Sequence, residues 1–169
     1  MIKNFLHYES GFWESDLAGK VAWLSAALGF VGFMDALYLT FEHYSGGQVN
    51  CIVTTGCDKV LSGPYSEVFG IPIALIGVIY YLFVFSAALF FLFDISHKFF
   101  RLALLASAAG FLASLWFISL QLFIVKAICF YCMISAFCSI MLFFLAVLSF
   151  FHARKIKKEK FSKKVENQT

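Results

Sequence analysis

Charge is what this 169-residue sequence lacks most: charged side chains make up 14% of it, ten acidic and thirteen basic. An ordinary globular domain carries about 25%. A soluble protein of this length would need more polar surface than that. An intrinsically disordered chain is excluded by the 62% hydrophobic content. Cysteines are also few, five in all, which excludes a disulfide-scaffold mini-protein. The net charge of +3 is small and spread along apolar flanks, which argues against nucleic-acid binding. No internal repeat, low-complexity tract or interdomain linker is visible, nor any haem, flavin or dinucleotide motif. What is abundant is apolar: 23 residues are Phe. The composition predicts an all-α integral membrane protein of one domain.

Four stretches can cross a hydrocarbon core of about 30 Å, which takes about 20 helical residues. They are residues 21–41, 70–93, 102–125 and 127–151. Their apolar runs are continuous and do not alternate, so they read as helices and not barrel strands. Of the chain's charged residues only Asp35 lies inside them. The sequence thus divides into an N-terminal segment 1–20, a four-helix membrane domain 21–151 and a basic tail 152–169. No cleavable leader is expected, because the first apolar run is long and follows the mixed charges Glu9, Glu14 and Asp16.

Four spans put both termini on one side. Lys3, Lys20, Lys98, Arg101 and seven basic residues from Arg154 to Lys164 share that side, against Lys59 and Lys126 on the other. The positive-inside rule places both termini in the cytoplasm. The tail reads as a solvated stop-transfer flank. Residues 42–69 and the junction between spans three and four then face the exported side. Lys126 is the only charge in that junction, so spans three and four must form a tight hairpin. Ala106, Gly110 and Ser114 put small residues at four-residue spacing on span three, where a neighbouring helix can approach closely.

Four of the five cysteines fall on the exported side, where disulfides persist. Cys51 and Cys57 form a C-x5-C in the loop, and Cys129 and Cys132 a CxxC at the outer end of span four. Residues i and i+3 share a helix face. At a helix N-terminus the dipole favours a thiolate, and Lys126 stands one turn earlier. Cys138 points elsewhere and reads as a small buried hydrophobe. Zinc is disfavoured: one pair lies in an apolar helix and His43 is the one nearby histidine. A loop pair and a membrane pair make sense as a thiol–disulfide relay, with a lipid-soluble quinone as the available acceptor. The rival reading is a non-enzymatic protein that binds or transports a soft metal through both pairs.

The run from Cys57 to Pro72 (CDKVLSGPYSEVFGIP), together with Cys129-Phe-Tyr-Cys132, closely resembles the vitamin K epoxide reductase family in its bacterial form. The resemblance covers nearly all of residues 20–150. In the related disulfide bond formation protein B family the CxxC comes first in the chain. The resemblance implies a four-helix bundle around a quinone, ubiquinone or menaquinone, with no metal, and a short capping half-helix at residues 58–66. Gly70 and Pro72 would suit the start of span two, since Pro is tolerated in a first helical turn. It also implies roles. Cys51 receives electrons from a thioredoxin-like partner, Cys57 passes them to Cys129, and Cys132 makes the transient adduct or charge-transfer contact with the quinone. Ser62, Phe69, Pro72 and Ile73 would line the quinone pocket.

Ala136 stands where animal members carry Tyr, and Gly63 where relatives often have a second Ser. The Ala136 departure argues for a respiratory quinone; reduction of vitamin K quinone or epoxide is the alternative. The chain ends about 18 residues after span four, so the partner is expected to be a separate exported protein and the location a bacterial inner membrane. Asp35 has two readings: a proton relay to the quinone, or an interior residue hydrogen-bonded to a neighbouring helix. Tyr80, Tyr81 and Trp116 read as interfacial or packing aromatics.

Overall fold

The computed structural model describes residues 16–45, 57, 60, 66–68, 70–93 and 97–166. Four helices account for most of them: α1 (Asp16–Ser45), α2 (Ile73–Leu92), α3 (His97–Ser119) and α4 (Phe130–Glu166). Each contains a segment long and apolar enough to cross a membrane. Those segments are largely apolar all round, as helices immersed in lipid and in one another must be. The outward belt carries exposed large side chains such as Trp23, Ile79, Leu105, Leu112, Trp116 and Phe123. In water such a surface would aggregate; in hydrocarbon it costs nothing. Packing runs round the bundle as α1–α2, α2–α3, α3–α4 and α4–α1.

Glycine sets how closely the helices approach. A Cβ on Gly32 would lie 2.5 Å from the Tyr81 ring, and one on Gly29 3.1 Å from the Phe85 main-chain nitrogen, so α1 and α2 meet through bare backbone. On α3, Gly110 lets Tyr80 Oη and Ser139 Oγ come within 2.5 and 2.7 Å of the place its Cβ would occupy. The small-residue spacing read on span three thus corresponds to a close contact. The core has three tiers. Ala18, Val21, Ala88, Phe91, Phe100 and Leu145 fill the end nearest both termini, with Phe91 and Phe100 stacked at 4.8 Å. Ala36, Tyr81, Val84, Cys138 and Leu142 fill the middle, so Cys138 is the buried packing residue expected. Leu39, Cys57 and Cys129 form the outer tier.

Two spans begin later than the sequence expectation. Span two begins at Ile73, not Gly70, because a small antiparallel hairpin intervenes, β1 (Glu67–Val68) with β2 (Ile71–Pro72). Gly70 serves that hairpin's turn at φ +77°, a conformation that suits glycine. Pro72 is the cap residue of α2, and Ile73 supplies the N–H that Pro72 lacks, donating to the Ser66 carbonyl at 3.0 Å. Span four begins at Phe130, not Ala127. After α3 the chain widens into a π-helical turn, Leu120–Val125, and ends it with Lys126 in the left-handed conformation (φ 50°). Residues 127–129 then run non-helically into α4. The expected capping half-helix at 58–66 lies largely outside the described residues; Val60 within it and Cys57 just before it are helical.

Candidate active site

Cys129 is the residue immediately before α4. Its carbonyl accepts the Met133 N–H at 3.1 Å, the first bond of the helix ladder. Its sulfur takes the place of an N-cap side chain and accepts the backbone N–H groups of Cys132 and Tyr131. The Cys132 thiol donates to it as well. That donor is the strongest influence on Cys129, and with the two N–H groups it outweighs burial. The Cys129 thiol is thereby held down at about 7, well below an ordinary thiol. Lys126, expected to help from one turn earlier, is not among the groups acting on Cys129. Its place in the site is the left-handed residue that turns the chain.

The two sulfurs of the CxxC face different surroundings. Cys129 is completely buried and packs with Leu39 against Cys57, itself 1% exposed. Cys57 is disulfide-bonded, whereas Cys129, Cys132 and Cys138 are free. Cys132 instead lines a cavity of about 360 Å³ to which all four helices contribute. That volume falls within the range of small-ligand sites, about 300–1,000 Å³. The cavity wall is mainly apolar.

Of the pocket residues expected from the sequence, Pro72 and Ile73 line this cavity. Cys51, Ser62 and Phe69 lie outside the described residues. Asp35 also lines it, and its Oδ2 is buried without a hydrogen-bond partner. Asp35 is near enough to the dithiol to act electrostatically on both Cys129 and Cys132. Ala136 is buried in the wall as well. At the outer rim His43 Nε2 pairs with Glu67 Oε1 at 3.1 Å, tying the hairpin to α1.

Of its two readings, Tyr81 takes the packing one: it is 2% exposed, and its hydroxyl donates to the Ser135 carbonyl at 2.6 Å, bridging α2 and α4 beside the cavity. Gln121 escaped the sequence reading: it is 4% exposed, and its Oε1 accepts the Cys129 N–H at 2.9 Å. The available signal was its chemistry. A primary amide in an apolar span must find a partner, and eight residues on stands the first cysteine of the CxxC. Among the described residues no group of three or more His, Cys, Asp or Glu converges as a metal site.

These features define a membrane-embedded helix bundle organised around a thiol pair, with a disulfide on one side of the pair and an apolar cavity on the other. The chain matches the vitamin K epoxide reductase family over residues 23–147 and belongs to that family. It is also 36% identical over 126 residues to a thiol-disulfide oxidoreductase of Arabidopsis thaliana, LTO1. That similarity covers 68% of this chain and 32% of the plant protein, so the chain spans about a third of that relative's length. Family and relative together support a role in thiol oxidoreduction.

Proposed function

We propose that the chain is a quinone-dependent thiol oxidoreductase that reoxidises a separate thioredoxin-like protein and so drives disulfide formation in exported proteins. The observation that carries this reading is the division of labour within the CxxC: Cys129 against the disulfide-bonded Cys57, Cys132 in the cavity. Cys51 is the partner that the family resemblance implies for Cys57. A thiolate of the partner attacks Cys51, and the partner leaves oxidised with Cys51 and Cys57 both reduced. The Cys57 thiolate then attacks Cys129 in the Cys129–Cys132 disulfide and releases Cys132 towards the cavity. Cys51 attacks Cys57, re-forming the loop disulfide and releasing Cys129. The low-lying Cys129 thiol suits that last step, since a low-pKa thiol leaves faster.

The pair then gives two electrons and two protons to the quinone, becoming a disulfide as the quinone becomes a hydroquinone. A mainly apolar cavity fits a quinone ring, and the unpartnered Asp35 Oδ2 suits a group that hands on a proton. For two electrons about 30 mV is worth about 1.4 kcal/mol, so an acceptor of higher potential pulls the relay towards oxidation. The distribution of basic residues supports cytoplasmic termini with the cysteines on the exported face, and the resemblance to bacterial members supports a bacterial inner membrane as the location. The test is a pair of variants. Cys132→Ser abolishes quinone reduction; Cys51→Ser spares contact with the quinone and blocks the partner. Normal turnover in both would refute the relay.

A further inference from the structure

Three hydrogen bonds in the turn between α3 and α4 end on one residue. The main-chain carbonyl of Gln121 accepts the N–H groups of Lys126 and of Ala127, the latter at 3.2 Å. Its side-chain Oε1 accepts the Cys129 N–H at 2.9 Å. The side chain is 4% exposed, so this last bond is screened from competing water. The π-helical turn that begins at Leu120 widens the helix at this residue; such turns occur often at functional sites.

The Cys129 bond decides where α4 starts. An N-cap residue has non-helical backbone, and only then can its side chain reach the N–H groups two and three residues on. Cys129 meets that condition: its carbonyl opens the α4 ladder and its sulfur accepts from Tyr131 and Cys132. Its own N–H, which a longer helix would turn back on residue 125, goes sideways to Gln121.

We propose that Gln121 is a positioning residue for the dithiol: its amide oxygen holds Cys129 just outside α4, so that the Cys129 sulfur caps the helix beside Cys57 while Cys132 faces the cavity. The proposal rests on the roles given above to the two sulfurs and adds the device that separates them. No electron or proton passes through Gln121. Because the other two bonds of the turn use its main chain, a side-chain substitution removes one bond and leaves the turn tied.

The experiment uses the full chain in detergent, fully reduced, with alkylation of each cysteine followed by mass-spectrometric peptide mapping as a function of pH. Wild type is compared with Gln121→Met and Gln121→Leu, which keep an apolar volume and lose the acceptor. Loosening the cap should move the half-alkylation pH of Cys129 upwards by about one unit, the scale of one charge-assisted bond to a thiolate. Cys138, 2% exposed in the middle of the bundle, is the internal control and should stay protected in all three proteins. Unchanged Cys129 profiles in both variants would overturn the proposal. So would a shift accompanied by exposure of Cys138, which reports general loosening. An ordinary thiol profile for Cys129 in the wild type would overturn the assignment of the two sulfurs as well, which separates failure of that reading from failure of the Gln121 clamp alone.

Discussion

Replacing Gly32 by alanine tests whether the cavity walls depend on direct backbone contact between α1 and α2. The added Cβ would lie 2.5, 2.6 and 2.7 Å from Cε1, Cδ1 and Cζ of the Tyr81 ring. Ordinary carbon contacts are about 3.5–4.0 Å, so the ring must move by about 1 Å. It is not free to do so. Its hydroxyl is held by the Ser135 carbonyl at 2.6 Å, with Ser135 Oγ at 3.0 Å. Overpacking of this kind costs about 1–3 kcal/mol. Loss of the hydroxyl bond adds about 1 kcal/mol, and the better helix propensity of alanine returns about the same. The expected net loss is about 1–3 kcal/mol, measured by denaturant unfolding in mixed micelles. Two comparisons sharpen it. Gly19→Ala meets nothing within 4 Å and should be neutral or stabilising by up to about 1 kcal/mol. In a Tyr81→Phe background the ring is untethered, so the Gly32→Ala cost should fall by about 1 kcal/mol in a double-mutant cycle. A Gly32→Ala protein as stable as wild type would refute the close-approach reasoning.

Other outcomes follow from the site. Asp35→Asn should slow quinone reduction by about 100-fold, the lower scale of a positioned proton donor, and leave thiol exchange with the partner intact; unchanged quinone turnover would remove Asp35 from the proton path. With its thiol at about 7, Cys129 is mostly thiolate at pH 8 and mostly protonated at pH 6, so its alkylation rate should fall about tenfold per unit well below pH 7. Cys132→Ser should move that profile upwards, because the thiol that donates to Cys129 is replaced; an unmoved profile would show that the neighbour does not set it. Lys126 holds φ 50°, which costs a side-chain-bearing residue about 1–2 kcal/mol, so Lys126→Gly should stabilise the protein modestly in thermal unfolding. A loss of stability there would mean that the lysine side chain, not the backbone angle, matters.

Much of the fold was legible because membrane spans are written in one variable, unbroken hydropathy over enough residues. The four spans needed only that, and their helix bounds differ mainly where local backbone chemistry intervenes. Gly70 is an example: in a string of apolar residues it reads as the start of a helix, but its use is a positive φ in a two-residue hairpin that hydropathy cannot register. The start of α4 is another. Nothing in the run Val125–Cys129 breaks a helix by propensity; the break comes from a side chain eight residues back. The proximity of Cys57 to the CxxC was expected from residue type and from the charge pattern along the sequence. What spacing could not reveal was that Cys129 and Cys132 face different neighbours, because that depends on Cys129 standing outside the helix. Tyr81 had two readings, interfacial or packing, because aromatic residues in a span are commonplace; the bare Gly32 opposite makes room for this one inside.

The central claim is that electrons leave the Cys129–Cys132 pair for a quinone in the cavity. The most direct measurement is a single anaerobic turnover of the fully reduced chain with one equivalent of a soluble quinone, followed by ultraviolet absorbance and by thiol mapping of the quenched protein. The account predicts one quinone reduced for each pair of thiols lost, with the first disulfide appearing between Cys129 and Cys132. Oxidation of Cys57 without change at Cys129 and Cys132, or an undiminished rate in Cys132→Ser, would contradict it.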